Sequence, residues 1–489
     1  MTATDRRARW LALIVLCLGD LMIVLDTTIV NVALPSIRAD LGFSEASLAW
    51  VVNAYVLTFG GFMLLGGRLG DLYGHRRLFV AGVALFTAAS VACGLAQAQQ
   101  VLVTARVVQG IGGAVVSAVA LSLIMTLFEE PAERTKAMGV FGFVMAAGGS
   151  IGVLAGGVIT DVLNWHWVFL VNVPVGVAVV VLTLAVIPAS GGASGTRLDV
   201  AGSITVTAAL VVAVYAVVNA GTAGWTSPQT LGKLAAAAVL LAVFVVVESR
   251  VAAPLVPLRL FRIHNLATAN VVGVLWSAAM FAWFFLSALY LQLVLGYRPL
   301  QVGLAFLPAN LIMGAFSLGL SAKIVMRFGV KRPLALGMAL VAVGLLLFAR
   351  APVGGNLAFD VLPAMLVLGV GVGLAFNPVL LAATSDVDIT ESGLASGVAN
   401  TGFMMGGALG LAVLASIAAS RTQALQHTQS FRPTAQSAAA ALNGGYHLAF
   451  VVGAVFAALA AVVATLLRSA AAAPVETAEL ERECVLDGV

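Results

Sequence analysis

The stretch Gly67-Arg-Leu-Gly-Asp71-Leu-Tyr-Gly74-His-Arg-Arg77 is a short charged turn between two long apolar segments, and it decides the fold. Its glycines permit a tight backbone turn. The turn contains one acidic residue and three arginines, and arginine is enriched in the cytoplasmic loops of membrane proteins. The simpler interpretation is therefore a positively charged turn between two membrane spans. The alternative is a gating loop, for which the candidate residues are Gly67, Arg68, Asp71, Gly74, Arg76 and Arg77.

Outward from this turn the chain is strongly apolar. Of its 489 residues, 61% are hydrophobic and 9% are charged, whereas soluble domains carry about 25% charged residues. So few charges cannot cover a surface exposed to water, which excludes a soluble enzyme, a nucleic-acid binder and a disordered scaffold. The 3 cysteines cannot form a disulfide framework. We expect a protein whose surroundings are the lipid bilayer and which has no nucleic-acid partner.

Fourteen segments are long and apolar enough to cross a bilayer, which takes about 20 apolar residues. They are 11–35, 46–66, 78–97, 101–127, 135–160, 167–188, 201–221, 231–250, 266–295, 301–324, 333–350, 359–383, 392–420 and 445–468. An even number of spans puts both termini on one side. Most of the 25 Lys and Arg residues then share that side, so the positive-inside rule predicts cytoplasmic termini. The fold class expected is an all-α polytopic membrane protein with 14 transmembrane helices, located in a bacterial plasma membrane.

The chain also partly repeats itself at one constant offset. Gly139, Gly148, Gly152 and Gly156 of the fifth span recur as Gly393, Gly402, Gly406 and Gly410 of the thirteenth. The pattern predicts an N-terminal six-helix bundle at 1–190, an inserted two-helix pair at 191–262, a C-terminal six-helix bundle at 263–470 and a cytoplasmic tail at 471–489. Two parallel halves are typical of alternating access, with the substrate site at their interface near the middle of the membrane.

Further motifs accompany the turn and the glycine repeat. They are Leu25-Asp26-Thr-Thr-Ile-Val-Asn31-Val-Ala-Leu-Pro35, Arg106-Val-Val-Gln109-Gly110-Ile-Gly112-Gly113, Trp165-His-Trp167-Val-Phe-Leu-Val-Asn172-Val-Pro174 and Pro254-Leu-Val-Pro257-Leu-Arg259-Leu-Phe261-Arg262. Over roughly residues 20–415, the set resembles the major facilitator superfamily, and within it the fourteen-span drug:proton antiporters. The resemblance implies the major facilitator fold, export driven by protons and a lipophilic substrate.

Three ionisable residues lie deep in the predicted spans: Asp20, Asp26 and Arg106. A charge in the bilayer costs at least ~2.5–3.5 kcal/mol, so each is a functional candidate. From the helical rise, Asp26 and Arg106 both fall in the outer half of the membrane and could pair. We predict that Asp26 carries the proton and that Arg106 tunes it; a static ion pair is the alternative. Asp20 is a candidate second proton site, an attractor for a cationic substrate, or an acid kept neutral by burial.

The glycine seam, which we define as Gly148, Gly152 and Gly156, has the spacing that lets membrane helices pack closely. A smooth seam would also let two helices slide during transport. The candidate substrate-cavity residues are Asn31, Asn53, Tyr55, Trp283, Tyr290, Gln292, Phe403 and Met404. Most aromatic residues of the ninth span are expected to face lipid or its interface. They are Trp276, Phe281, Trp283, Phe284, Phe285 and Tyr290.

These observations predict a proton-coupled exporter of lipophilic or monocationic drugs that acts as a monomer. An exporter or flippase of a lipid or siderophore-like metabolite on the same fold is the alternative. A proton-coupled importer or a channel is a third possibility. The chain has no GxxxxGK[ST] loop, so ATP hydrolysis by that route is not expected. We expect no cofactor and no metal, with the proton gradient as the source of energy.

Overall fold

The computed structural model of the chain describes residues 3–128, 130–188, 200–251, 254, 258–387, 392–428 and 434–468. These ranges form helices and no strand, as expected where lipid offers no partner for exposed backbone groups. We number the long helices in chain order. They are α1 (Ala3–Leu41), α2 (Trp50–Tyr73), α3 (His75–Gly94), α4 (Gln99–Leu127), α5 (Pro131–Val162), α6 (Asn172–Val186), α7 (Val200–Ala223), α8 (Pro228–Arg250), α9 (His264–Leu289), α10 (Pro299–Ala315), α11 (Lys331–Phe348), α12 (Leu362–Thr384), α13 (Ser392–Thr428) and α14 (Ala435–Ala464).

Twelve helices of the described ranges are long and apolar enough to cross a membrane. Two shorter apolar helices accompany them, Ile151–Val162 within α5 and α10 itself. The structure thus shows an all-helical protein with about 12 long apolar helices. The count of fourteen spans and the cytoplasmic position of the termini remain predictions.

Several spans that the sequence predicts as single helices are interrupted. The sixth consists of a short helix, His166–Leu170, followed by α6. The tenth continues from α10 through a π-helical turn, Phe316–Leu320, into the helix Ser321–Phe328. Gly319 has a φ of 124° inside that turn, a conformation that residues with a Cβ atom rarely adopt. Glycine therefore breaks an apolar run that hydropathy alone reads as continuous.

The sequence Gly74-His-Arg-Arg77 recurs as Gly329-Val-Lys-Arg332, and both glycines have a positive φ. Gly74 follows α2 with a φ of 88°, and Gly329 follows the helix Ser321–Phe328 with a φ of 74°. Each glycine closes its helix by donating its N–H to a carbonyl four residues earlier, Gly70 at 3.0 Å and Val325 at 2.8 Å. A positive φ after a helix is a conformation that glycine adopts readily, because it has no Cβ atom.

The matching glycines of α5 and α13 also pack alike. A Cβ atom at Gly156 would lie 2.6 Å from the carbonyl oxygen of Ile29 in α1. A Cβ atom at its counterpart Gly410 would lie 2.3 Å from Cα of Ala278 in α9. Only glycine fits such close backbone contact, so α5 packs directly on α1 just as α13 packs on α9.

The helix α7 packs beside the contact between α2 and α13. A Cβ atom at Gly61 of α2 would lie 2.0 Å from Oγ1 of Thr207. Ser416 of α13 donates its hydroxyl to the carbonyl oxygen of Val217 at 3.0 Å. The predicted bounds of the two bundles and the inserted pair remain predictions, and the predicted tail at 471–489 lies outside the described residues.

Candidate functional site

Asp26 of α1 and Arg106 of α4 form an ion pair inside the first bundle. Nη1 of Arg106 donates to Oδ2 of Asp26. Asp26 is 0% exposed and Arg106 is 1% exposed, so neither charge reaches the surface. The structure therefore joins the two residues that the helical rise placed at a similar depth.

Three further side chains complete this site. The second oxygen of Asp26, Oδ1, accepts from Nε2 of Gln109 at 2.8 Å and from Nδ2 of Asn172 at 3.0 Å. Oγ of Ser90 accepts from Gln109 at 2.8 Å. We call Asp26, Arg106, Gln109, Asn172 and Ser90 the Asp26 cluster. Both carboxylate oxygens have donors, so the ionised form of Asp26 is well accommodated.

Arg106 is also held independently of Asp26. Its Nε donates to the carbonyl oxygen of Val51 at 2.9 Å, and its Nη1 donates to Oε1 of Gln109 at 2.7 Å. Its Cζ lies 4.3 Å from the centre of the Tyr55 ring, close enough for a cation–π interaction. The guanidinium would therefore keep its position if Asp26 gained a proton.

Asp20 occupies a separate site closer to the start of α1. It is 0% exposed, and its Oδ1 accepts from the hydroxyl of Ser117 in α4. Its second oxygen, Oδ2, has no hydrogen-bond partner within the described part of the chain. Asp20 thus combines full burial with a single polar partner.

The arginines of the turn at 67–77 bind backbone carbonyls. Nη2 of Arg68 donates to the carbonyl oxygen of Pro254 at 3.1 Å. Nη2 of Arg76 donates to the carbonyl oxygen of Leu184 at 2.7 Å, near the C-terminal end of α6. A cation is favourable there because the last helical carbonyls carry partial negative charge. Arg77 is exposed, and the side chain of Asp71 lies outside the described residues.

The two bundles contact each other near both ends. At the predicted extracellular end, Arg298 donates to both carboxylate oxygens of Asp161, at 3.0 and 2.8 Å. Nε2 of Gln292 donates to the carbonyl oxygen of Val32 at 2.9 Å. Toward the other end, Nδ2 of Asn400 contacts Sδ of Met63 at 3.1 Å. These contacts join the two halves.

The predicted cavity residues have contacts of several kinds, and their role in a substrate cavity stays a prediction. Gln292 and Met404 lie at the contact between the halves, Met404 against Gly60. Tyr55 belongs instead with Arg106, as described above. The remaining residues have local contacts: Asn31 donates to Thr27 O, Trp283 packs on Phe284 and Phe306, Tyr290 donates to Pro352 O, and Phe403 packs on Trp276.

Asn53 differs from the other predicted cavity residues. It is 0% exposed, and neither side-chain amide atom has a hydrogen-bond partner among the described residues. Leaving a buried amide unpaired costs about 1–3 kcal/mol. Asn53 therefore remains a candidate for a polar contact with substrate.

The expectation that most ninth-span aromatics face lipid is wrong for four of them. Trp276, Trp283, Phe285 and Tyr290 are each 1% exposed. Other helices of the second bundle cover the two tryptophans of α9: Trp276 packs on Phe376 and Phe403, and Trp283 packs on Phe306. Hydropathy cannot separate such a helix from a lipid-facing one, because protein core and lipid are both apolar.

Sequence reasoning did not assign Gln109, Ser90, Asn172 or Ser117 to a site. A signal was present for two of them. Gln109 and Ser117 follow Arg106 by three and eleven residues, spacings that return to nearly the same face of a helix. Ser90 and Asn172 lie on other helices, and only the packing of the bundle brings them to Asp26. Among the described residues, no group of three or more His, Cys, Asp or Glu could hold a metal ion.

Long apolar helices with matching glycine contacts and a buried ion pair define an all-helical, multi-pass membrane protein. The chain belongs to the Major Facilitator Superfamily, whose family model matches residues 16–411.

Two relatives and one solved structure illustrate its neighbours. The chain is 40% identical over 420 residues to the cephamycin export protein CmcT of Amycolatopsis lactamdurans, covering 84% of this chain and 85% of that protein. It is 36% identical over 453 residues to the puromycin resistance protein pur8 of Streptomyces alboniger, covering 91% of this chain and 89% of that protein. The nucleoside transporter NupG superposes with a TM-score of 0.64 at 10% identity, covering 94% of this chain and 100% of that chain. That likeness concerns the fold alone.

Proposed function

We propose that this transporter exports lipophilic, neutral or monocationic antibiotics across a bacterial plasma membrane in exchange for protons, by alternating access. The names of its relatives, a cephamycin export protein and a puromycin resistance protein, support export. The ion pair of Asp26 and Arg106 is the observation that carries the proton coupling. The transporter works as a monomer and needs no cofactor besides the proton gradient.

Proton binding changes the charge of the Asp26 cluster more than its geometry. With Asp26 ionised, the two buried charges cancel. A proton on Asp26 leaves Arg106 as an uncompensated cation, which is costly in a medium of low dielectric constant. Because Val51, Gln109 and Tyr55 still hold the guanidinium, the cost is relieved by a rearrangement that admits water or by loss of the proton.

The glycine seam offers a route from this charge change to the interface between the bundles. It packs against Leu21, Val24, Leu25, Thr28 and Ile29 of α1, on both sides of Asp26 in sequence. The same helix, α5, contacts the second bundle through the ion pair of Asp161 and Arg298. A shift of α1 at Asp26 therefore acts on α5 and, through it, on the predicted extracellular contact.

Two further groups complete the proposal. Asp20, with one hydroxyl partner, serves as a second proton-carrying acid on the predicted cytoplasmic side of Asp26. Asp71 and the turn that contains it control the balance between inward-open and outward-open states. We expect Asp71→Asn to increase cytoplasmic exposure in a cysteine-accessibility assay.

Transport in membrane vesicles under an imposed pH gradient tests the proposal. Asp26→Asn retains the shape of the side chain and removes its proton, so we expect gradient-driven drug efflux to cease while drug binding persists. Asp40→Asn is a matched control on the same helix, because Asp40 is exposed and an asparagine oxygen can still accept from Trp165. Undiminished efflux by the Asp26 variant would show that another group carries the proton.

Export of a lipid or siderophore-like metabolite would use the same proton chemistry. A pump-deficient bacterial host that expresses the protein distinguishes the two. Antibiotic export predicts a raised inhibitory concentration for lipophilic antibiotics, lost with Asp26→Asn. Unchanged resistance to all such compounds, with active proton exchange, would favour the metabolite.

A further inference from the structure

A basic cavity lies in the second bundle, well away from the Asp26 cluster. Its volume is about 650 Å³, and it is enclosed by the start of α9, the turn before α11, the end of α12 and the residues after α14. These are the ends that meet on a single face of an up-and-down bundle. By the positive-inside prediction this face is cytoplasmic.

Three cations line the cavity: Lys331, Arg332 and Arg468. Within the described part of the chain, no acid lines it, and none of the three cations has an ion-pair partner. Three like charges that converge on one concave space repel one another unless an anion joins them. The cavity is therefore complementary to a ligand with concentrated negative charge.

Buried hydrogen bonds fix the position of Arg468. Asn265 of α9 is 2% exposed; its Nδ2 donates to the carbonyl oxygen of Arg468 at 3.1 Å, and its Oδ1 accepts from the N–H of Arg468 at 2.9 Å. On the opposite side, the turn at Gly329 leads directly into α11 and sets Lys331 and Arg332 at its first turn. The cations thus come from two anchored backbone segments rather than from mobile chain.

Apolar side chains border the basic cavity. Phe328 lines it and is 49% exposed, and Met326 and Leu466, close neighbours of lining residues in sequence, are 80% and 59% exposed. A free phosphate needs only the cations. An exposed apolar border next to them matches the junction between a lipid headgroup and its acyl chains.

We propose that the basic cavity binds the phosphate headgroup of an anionic membrane lipid from the adjoining leaflet. The cations contact the phosphate, while the acyl chains lie along the apolar border. Basic pockets between membrane helices on the cytoplasmic side hold anionic headgroups in this way. The lipid is a bound partner of the second bundle and not the transported substrate, so the site is independent of the proposed proton coupling.

Native mass spectrometry of the purified full chain, titrated with phosphatidylglycerol, tests the proposal. We expect the triple variant Lys331→Gln, Arg332→Gln and Arg468→Gln to bind this lipid at least 25-fold more weakly, since each cation near an anionic lipid contributes about fivefold. The matched control removes three exposed cations outside the cavity, Arg7→Gln, Arg250→Gln and Lys323→Gln, and should keep the affinity. Arg332→Gln alone, at an exposed position, should weaken phosphatidylglycerol binding about fivefold. This single variant provides the test if the triple variant does not fold.

Competition distinguishes the possible sources of the phosphate. Displacement of phosphatidylglycerol by soluble glycerol phosphate at equal concentration would assign the site to a free phosphate and overturn the lipid proposal. If the control triple variant bound phosphatidylglycerol just as weakly, binding would depend on overall charge, and this result would also overturn the lipid proposal. Neither readout involves drug transport, so the outcome is distinguishable from that of the Asp26 experiment.

Discussion

The guanidinium of Arg106 donates through Nη1 to Oδ2 of Asp26, and both side chains are enclosed by the first bundle. No member of the Asp26 cluster comes from the second bundle. The proposed proton site is thus separated from the interface at which alternating-access transporters bind substrate. At the Asp26 cluster, a proton and the drug would then influence each other through helix movement rather than by competing for the carboxylate of Asp26.

Two replacements of Arg106 distinguish the effect of its charge from the effect of its hydrogen-bonding geometry. Arg106→Ala leaves the carboxylate of Asp26 buried without its cation, and breaking such a pair costs about 3–5 kcal/mol. We expect this variant to be strongly destabilised and inactive in transport. Arg106→Lys should retain part of the activity, because an ammonium group keeps the charge but lacks the planar fork that reaches both Asp26 and Val51.

The double variant Asp26→Asn with Arg106→Gln removes both charges and should regain most of the thermal stability lost by Arg106→Ala. Transport should stay uncoupled from the pH gradient, because no titratable group remains in the cluster. Thermal melting in detergent and efflux in vesicles measure the two effects. Efflux that is still driven by the proton gradient in this double variant would show that the ion pair is structural and does not carry the proton.

The features of this fold that follow from the sequence are those set by local chemistry. Hydropathy finds the apolar helices, and the glycines at 67–77 indicate a tight turn, where Gly74 has a positive φ. Helical rise also brings Asp26 and Arg106 to one depth. Each of these depends on a short segment or on spacing along a single helix.

What the sequence could not supply depends on contacts between distant segments. Nothing near Asn172 or Ser90 in the chain indicates that they belong to the Asp26 cluster, because the packing of α3 and α6 brings them there. The burial of Trp276 and Trp283 could not be predicted either, since the sequence of an apolar helix face is similar whether lipid or protein covers it.

The glycine seam should be intolerant of a single methyl group. In Gly156→Ala, the new Cβ atom would lie 2.6 Å from the backbone oxygen of Ile29, and backbone cannot rotate away. Overpacking of this kind costs about 1–3 kcal/mol, and we expect reduced thermal stability together with slower efflux. Gly149→Ala is a matched control in the same helix, since its Cβ atom would meet nothing within 4 Å. Equal effects of the two changes on stability and efflux would contradict close packing at the seam.

The ion pair of Asp161 and Arg298 should favour the state closed at the predicted extracellular end. The arginine is 71% exposed and the aspartate 11%, and exposed pairs contribute up to about 1 kcal/mol. We therefore expect Asp161→Asn to increase extracellular opening by at most about fivefold. The rate at which an impermeant thiol reagent labels Leu300→Cys, beside Gly157 in the closed contact, reports that opening. The charge-swapped pair Asp161→Arg with Arg298→Asp should restore the original rate; failure to do so would assign the effect to packing.

The number of positive charges that a substrate can carry should be limited by the number of buried carboxylates that can pair with them. The helices of the second bundle contain one acid, Asp360, which lies at the start of a helix and accepts from the N–H of Asn356 at 2.7 Å. Of the two acids buried deep in α1, Asp26 is paired with Arg106, whereas Asp20 accepts from Ser117 and has no ion-pair partner among the described residues. Phe403 and Met404 add an apolar wall from α13. One cation can therefore be accommodated, whereas a second, widely separated cation would be buried unpaired.

Such an unpaired charge costs at least ~2.5–3.5 kcal/mol, or roughly a hundredfold in affinity. We predict efficient export of neutral and monocationic lipophilic compounds and weak export of long dications. Resistance assays in a pump-deficient host, with a monovalent dye and a bisguanidine of similar size, measure the difference. Asp20→Asn should reduce protection against the monovalent dye more than against a neutral compound, since it removes the one available countercharge. Stronger protection against the dication than against the monovalent dye would require a second acid in the cavity and would contradict this assignment.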